Sequence, residues 1–383
     1  MSGLTVAEST ARDALRARKP AVVAKMERYA ERLAASQSVA MIQLQWGYQC
    51  NIECEHCSIA VFQGKRPKDS RPLTLAKLRD VFTEADALGL AQMTISGGEP
   101  LIFKDLLRVV EAVGPRRFFI QVDTNGWYLT PEKARELVDA GVDKVQISLD
   151  SSDAAEHDHF RHAEGSYARA VDALANARAA GLAVVVATVV TRQRIRTEEF
   201  RAFLAFCKAN AYPIAYLWPK LTGAWEGAHD ALPLPEDIAF MDALAAEYVL
   251  KDRTTPWFGL DVGCNAVKRS VTLTATGEVF PCHWMYWSLG NVWDAGLGAI
   301  LGKGMEYFGP KVDLCRVSQD HAFINKYVAQ TFGRTSTDQP LTIEQVMGTP
   351  ADFREHVPVR LGSPESAMLT PIGRVLPVLE AVS

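Results

Sequence analysis

Cys50-Asn51-Ile52-Glu53-Cys54-Glu55-His56-Cys57 places three cysteines within eight residues, in a C-x₃-C-x₂-C run. Thiolate is the ligand that iron–sulfide units prefer, so three thiolates at this spacing can wrap one face of a cubane cluster. No fourth cysteine lies nearby, which leaves one iron open to chelation by a substrate or cofactor. A zinc site is the competing reading, with His56 as its fourth ligand, although zinc usually takes C-x₂-C knuckles in two halves. Disulfides fit poorly, because three closely spaced cysteines cannot pair among themselves.

Upstream, Ile42, Leu44 and Trp46 alternate with Gln43 and Gln45, which predicts a strand from Met41 with one polar face. Downstream the chain predicts a helix over 74–88, a strand over 91–96, a helix over 104–113 and a strand over 118–122. Then come a helix over 131–140, a strand over 144–149, a helix over 167–180, a strand over 183–190, a helix over 198–210 and a strand over 214–218. Six strand–helix alternations are the pattern of a parallel α/β sheet. The second strand ends in Gly97-Gly98-Glu99-Pro100. Its glycines allow close backbone approach to a ligand, and its carboxylate suits an ammonium.

C-x₃-C-x₂-C followed by Gly-Gly-Glu-Pro at the next strand end resembles the radical SAM superfamily. The resemblance covers residues 41–320. It implies a partial (β/α)6 TIM-like barrel with a small C-terminal auxiliary iron–sulfur domain built on a β-hairpin. It also implies a 4Fe-4S cluster on Cys50, Cys54 and Cys57 whose open iron binds S-adenosyl-L-methionine. Gly97, Gly98, Glu99 and Pro100 correspond to the motif that binds the methionine amino group. His56 stands where the superfamily carries an aromatic residue beside adenine. Ser148-Leu149-Asp150, then His157-Asp158 and Arg161, resemble the segment that contacts the cofactor's ribose and carboxylate; the plainer reading makes Asp150 a helix cap.

Cys207 shares a helix face with Phe200, Phe203 and Leu204, so it reads as a buried structural thiol ahead of a hydrogen-atom donor. Cys264 and Cys282 flank a predicted hairpin over 271–280 in a C-x₁₂-G-x₄-C pattern, and Cys315 follows. This pattern resembles the auxiliary-cluster domain in its shortened, twitch (SPASM-like) form, and implies a second 4Fe-4S cluster on Cys264, Cys282 and Cys315. A fourth cysteine is missing there too, so His283, Asp313, Asp320, His321, water or substrate would complete it. The bland alternative is three buried cysteines.

The expected organisation is an N-terminal helical segment 1–40, a core 41–222, a linker with a helix over 235–250 within 223–256, an auxiliary domain 257–322 and a tail 323–383. With 41 basic and 45 acidic residues the net charge is −4, which offers no basic surface for nucleic acid. The longest apolar stretch, Leu182 to Val190, is too short to span a bilayer. A cytoplasmic enzyme is expected, with flavodoxin or ferredoxin as electron donor. Its expected reaction is oxidation or epimerisation of a small-molecule substrate, a sugar or aminocyclitol of natural-product (antibiotic) biosynthesis. Modification of a ribosomally made peptide is the alternative; forty residues before Met41 are short for a leader-binding domain. A non-catalytic metal-binding scaffold is the reading from another class.

Overall fold

The computed structural model describes residues 6–62, 71–245, 247–248, 250–251, 262–334 and 340–356. Residues 1–5, 252–261 at the expected start of the auxiliary domain, and 335–339 and 357–383 of the expected tail lie outside them.

Seven strands follow one another as parallel neighbours. They are β1 (Met41–Gly47), β2 (Gln92–Gly97), β3 (Phe119–Thr124), β4 (Lys144–Ser148), β5 (Ala183–Val189), β6 (Ile214–Leu217) and β7 (Leu250–Lys251). Strict alternation along the strands separates two faces. Ile42, Leu44, Met93, Ile95, Ile120, Val122, Val145 and Ile147 are fully buried in the main core, each contributing on the order of 1.5–3 kcal/mol. The residues between them, Gln43, Gln45, Thr94, Ser96, Gln121, Asp123, Lys144 and Gln146, share the opposite, inward face.

Helices α1 (Val6–Arg18), α2 (Pro20–Glu27) and α3 (Tyr29–Ala34) precede β1. The crossovers are α4 (Leu75–Ala87), α5 (Leu106–Val113), α6 (Pro131–Asp139), α7 (Ala154–Arg161) with α8 (Ser166–Ala179), and α9 (Glu198–Ala209). Thr74, Thr130 and Thr197 cap α4, α6 and α9, each accepting from the amide three residues on, which supplies a partner for an otherwise orphaned donor.

The expected helix over 235–250 is shorter: α10 runs Pro235–Ala245 and Leu250 belongs to β7. The reason is the sheet edge, where Ile214 and Ala215 of β6 pair with Leu250 and Lys251.

The hairpin is β8 (Ser270–Leu273) and β9 (Glu278–Phe280), antiparallel to each other. It is not a separate layer, because β8 lies parallel to β1 and extends the same sheet. Next come β10 (Trp287–Ser288) and β11 (Gly290–Asn291), of which β11 pairs with β9. The ten-stranded sheet therefore runs β11-β9-β8-β1-β2-β3-β4-β5-β6-β7 and is open at both ends, a partial barrel. Helices α11 (Leu297–Phe308) and α12 (His321–Lys326) pack outside it, and β12 (Leu341–Thr342) pairs with β10. Among the described residues no helix is long and apolar enough to cross a membrane.

The N-terminal helices close the barrel at the strands' N-terminal ends. Lys19 Nζ donates to the carbonyls of Phe118 and Gly141 (3.1 and 2.9 Å) and pairs with buried Asp143. Lys25 Nζ donates to the carbonyls of Leu90 and Arg117 (2.8 and 2.6 Å). Two ammoniums thus satisfy carbonyls that the strand starts leave without ladder partners.

Candidate functional site

Every motif singled out in the sequence through residue 161 lies at the opposite rim, where the parallel strands end. That is where α/β barrels place their chemistry. The loop after β1 carries Cys50, Cys54 and Cys57, all three free thiols. Its path is fixed from several sides. Gly98 N donates to the Gly47 carbonyl and Glu99 N to the Gln49 carbonyl, both at 2.9 Å. A Cβ on Gly98 would stand 1.8 Å from the Gln49 oxygen. The close approach that these glycines permit includes one to the cysteine loop itself.

On the loop's far side, Ala224 N donates to the Cys57 carbonyl (3.0 Å). Gly223, at φ +65°, turns under the Cys57 and Ser58 carbonyls, and a Cβ there would sit 2.2 Å from Cys57 O. Glu55 N reaches the Phe160 carbonyl (3.2 Å).

Glu99 is 1% exposed, and its carboxylate joins two strand ends. Oε1 accepts from Leu101 N (3.0 Å) and Thr124 Oγ1 (2.7 Å), and Oε2 accepts from Asn125 N (2.8 Å). Burial pushes its carboxyl up to about 7, against those hydrogen bonds. Pro100 follows, buried, and opens a short 3₁₀ turn. Asn125 Nδ2 extends the network to Asn51 Oδ1 (2.9 Å), with Cys50 Sγ at 4.0 Å.

Asp150 is not a helix cap; Asp153 caps α7. Asp150 instead forms a buried ion pair with Arg161, Oδ2 accepting from Nε at 2.7 Å and from Nη2 at 2.5 Å. Its Oδ1 accepts from Val189 N (2.9 Å). Burial opposes the charge, but Arg161 beside it holds the carboxyl well below the usual range. Arg161 Nη1 continues to Cys54 Sγ at 3.6 Å, so the cation links the carboxylate to a cluster thiol.

His157 Nδ1 accepts from Asp150 N (3.1 Å), and burial holds this imidazole neutral, pushed down to about 4. His56 stacks on Phe160 (4.7 Å between centroids, 6° between planes), lies 6.0 Å from Trp225, and is pushed down to about 3, first by burial and then by Arg161. Ser148 stands half-buried on the inward face of β4, in register with Ala187. Asp158 accepts from the amides of Gly165 and Tyr167 and shapes the turn into α8.

The donor set fits an iron–sulfur cluster: three free thiols on one pinned loop, with Arg161 facing one of them. Burial pushes Cys50 and Cys57 up to about 11, so loading such a group would displace protons from the thiols. The zinc reading needs four ligands about one point; among the described residues no three His, Cys, Asp or Glu side chains form a single-ion site.

The second cysteine group is only partly assembled by local structure. Cys264 N donates to the Val312 carbonyl (2.6 Å), which brings it toward Cys315, whose thiol is pushed up first by burial and then by Cys264 beside it. Val267 N donates to the Pro281 carbonyl (3.0 Å), which brings the chain after Cys264 alongside Cys282. Asp313 is exposed beside Lys311, Asp320 caps α12 and pairs with Arg316, and His321 Nε2 meets the Pro233 carbonyl. His283 is buried next to Cys282, its ring 3.6 Å from that of Trp284. Cys207 is fully buried in the main core, in one cluster with Phe200, Phe203 and Leu204.

Sequence reasoning missed Arg194 and Gly223. Arg194 donates to the Asp150 carbonyl, to Thr188 Oγ1 (3.0 Å) and to Glu199 (3.1 Å). Its signal was faint: a basic residue in the turn after an apolar strand. Gly223 carries none, since its partner Cys57 lies far away in the chain.

Residues 44–207 match the Radical SAM superfamily. The PqqA peptide cyclase of Methylocella silvestris is 30% identical over 250 residues, covering 62% of this chain and 65% of the relative. The mycofactocin maturase MftC of Mycolicibacterium smegmatis is 35% identical over 196 residues, covering 50% and 48%. The chain thus spans about half to two thirds of the length of these curated relatives. Streptococcus suis SuiB bound to precursor peptide SuiA superposes with TM-score 0.56 at 14% identity, over 73% of this chain and 67% of that one. Native anSMEcpe with bound AdoMet superposes with TM-score 0.53 at 15% identity, over 70% and 82%. At these identities the solved structures speak for the fold alone.

Proposed function

The chain carries a radical SAM domain at residues 44–207, and on that premise we propose that it abstracts a hydrogen atom from a peptide substrate. The observation that carries this reading is the rim itself. The cysteine loop, Gly97–Glu99 and the Asp150–Arg161 pair converge above an inward strand face that is polar. Two of the similar proteins, the PqqA peptide cyclase and SuiB bound to precursor peptide SuiA, act on or are bound to a peptide. That favours the peptide over the sugar or aminocyclitol expected first from the sequence. The N-terminal helices are engaged at the far end of the barrel through Lys19 and Lys25.

Cys50, Cys54 and Cys57 would hold the 4Fe-4S cluster, which, with S-adenosyl-L-methionine bound and one electron taken from an external donor, would supply a carbon-centred radical that takes hydrogen from an unactivated C–H bond. Glu99 Oε2, which also accepts from Asn125 N, would accept from the methionine ammonium. His56, Phe160 and Trp225 offer an aromatic wall for adenine, and Ser148 a hydroxyl on the inward face. Arg161, fixed by Asp150, orients the Cys54 thiolate. Burial of the rim keeps water away from the reacting carbon. Cys264, Cys282 and Cys315, with His283 next to Cys282 in the chain as a further donor, would hold a second cluster. It would accept the electron left on the substrate, for a net two-electron oxidation with loss of one proton to solvent.

Two clusters imply about eight irons per chain after anaerobic reconstitution. Replacing Cys50, Cys54 and Cys57 by Ala halves that figure and ends cleavage of S-adenosyl-L-methionine; replacing Cys264, Cys282 and Cys315 halves it and spares the cleavage. Cleavage by the first variant, or an unchanged iron content in the second, refutes the corresponding assignment.

A further inference from the structure

The reading above uses the rim of the sheet and leaves the lumen below it unassigned. Strand register puts Thr272, Gln43, Thr94, Gln121 and Lys144 side by side at one level on β8, β1, β2, β3 and β4. Such layers are ordinarily filled by branched apolar side chains; this one is polar throughout.

Two of its buried atoms, Gln43 Oε1 and Thr272 Oγ1, have no hydrogen-bond partner among the described residues. The same holds for Gln92 Nε2 and Ser270 Oγ, two residues earlier on β2 and β8. These four residues are 7%, 0%, 2% and 2% exposed. Each unmade bond costs about 1–3 kcal/mol, so a cluster of four asks for a partner. Lys144, Gln121 and Asp123 remain only half-buried although they face inward, so the lumen holds space beside them.

Lys144 makes no hydrogen bond among the described residues, and no carboxylate oxygen of those residues lies within 4.0 Å of its Nζ. Asp123, one level nearer the rim, accepts from Gln121 Nε2 (2.5 Å). Asp143, next to Lys144 in the chain, is taken by Lys19. Asp123 favours the Lys144 ammonium only from beyond contact distance, and Lys251 opposes it; an enclosed ammonium without a contact counter-ion is costly.

We propose that this layer is a substrate subsite in which Lys144 Nζ pairs with a carboxylate carried by the substrate, while Gln43 and Thr272 bond its neighbouring polar atoms. The proposal rests on the peptide reading for its substrate class: the carboxylate is that of an acidic side chain or of a peptide C-terminus. Lys144 lies four residues below Ser148 on β4, roughly 13 Å at about 3.3 Å per residue. That is the reach of a residue one or two positions from the reacting one.

The test is affinity selection with the reconstituted full chain and S-adenosyl-L-methionine, using random capped decapeptides in two libraries, amidated and free at the C-terminus. Wild type is expected to enrich Asp and Glu, or the free C-terminus, at least five-fold. Lys144→Gln should lose the bias and Lys144→Arg keep it, with iron content and melting temperature confirming intact folding. A second arm measures saturation transfer to D-glucuronate against D-glucose. If no peptide is retained but glucuronate contact depends on Lys144, the peptide reading fails and the subsite stands. If neither arm shows a preference for carboxylate, or Lys144→Gln leaves it unchanged, the subsite is overturned and the lumen is merely wet.

Discussion

Tyr286 donates a hydrogen bond of 2.6 Å to the backbone carbonyl of Ser58. The two residues come from opposite ends of the chemistry: Ser58 follows Cys57, and Tyr286 follows Cys282 by four positions. Around them Ile59, Phe62, Phe280 and Tyr286 form a small apolar cluster of their own, with Tyr48 and Cys57 packed on it. The segment after the hairpin therefore clamps the first cysteine loop. Tyr286→Phe keeps the ring and removes one buried bond, worth about 1 kcal/mol. The melting temperature should fall by a few degrees, and hydrogen exchange should rise selectively over residues 57–62. Unchanged exchange there means the clamp does not hold the loop.

Gly98 answers to a harder constraint. Its Cβ position lies 1.8 Å from a backbone oxygen that cannot rotate away, whereas a Cβ on Gly302 would meet nothing within 4 Å. Gly98→Ala should unseat the cysteine loop and cut iron retention several-fold, while Gly302→Ala, in an α-helix, should stabilise by up to about 1 kcal/mol. Equal iron content in the two variants counts against the stitched loop.

Glu99 makes stability depend on pH with a definite sign. Its folded carboxyl is raised to about 7 by burial, above the unfolded value near 4.3. The contribution is fully present below about pH 4 and is lost as pH rises through 7, by up to roughly 3 kcal/mol. His56 and His157, pushed down to about 3 and 4, act the other way, gaining stability as pH rises toward 6.5. The difference between wild type and Glu99→Gln isolates the carboxyl. In the iron-free protein, wild type should lose melting temperature relative to the variant between pH 5 and 7.5. A constant difference across that range contradicts the buried carboxyl.

Lys19 and Asp143 form the buried pair at the closed end, both side chains under 10% exposed. Lys19→Met removes the buried cation from Asp143, leaving it the Ile120 amide and the exposed Arg18, and should destabilise by about 2–4 kcal/mol; adding Asp143→Leu should recover much of it. Cleavage of S-adenosyl-L-methionine per folded molecule should stay the same in both, since the pair lies a whole strand length from the rim. Thermal melts with parallel cleavage assays decide this, and additive losses in the double variant refute the pairing.

The sequence by itself determined the parallel α/β core, because alternation on Ile42–Trp46 and the spacing of five further strand–helix pairs encode local structure and burial at once. It also marked Cys50, Cys54, Cys57 and Gly97–Glu99, whose spacing is short enough to read along the chain. It could not tell that Gly98 serves the loop bearing Cys50, that Asp150 faces Arg161 and not a helix end, or that β8 joins β1. Nor could it show Tyr286 reaching Ser58 across 228 positions, or Lys144 standing beside Gln43 and Thr272. Those relations depend on which strand lies next to which, and register between distant strands is set by packing of the whole sheet. No local pattern carries that information.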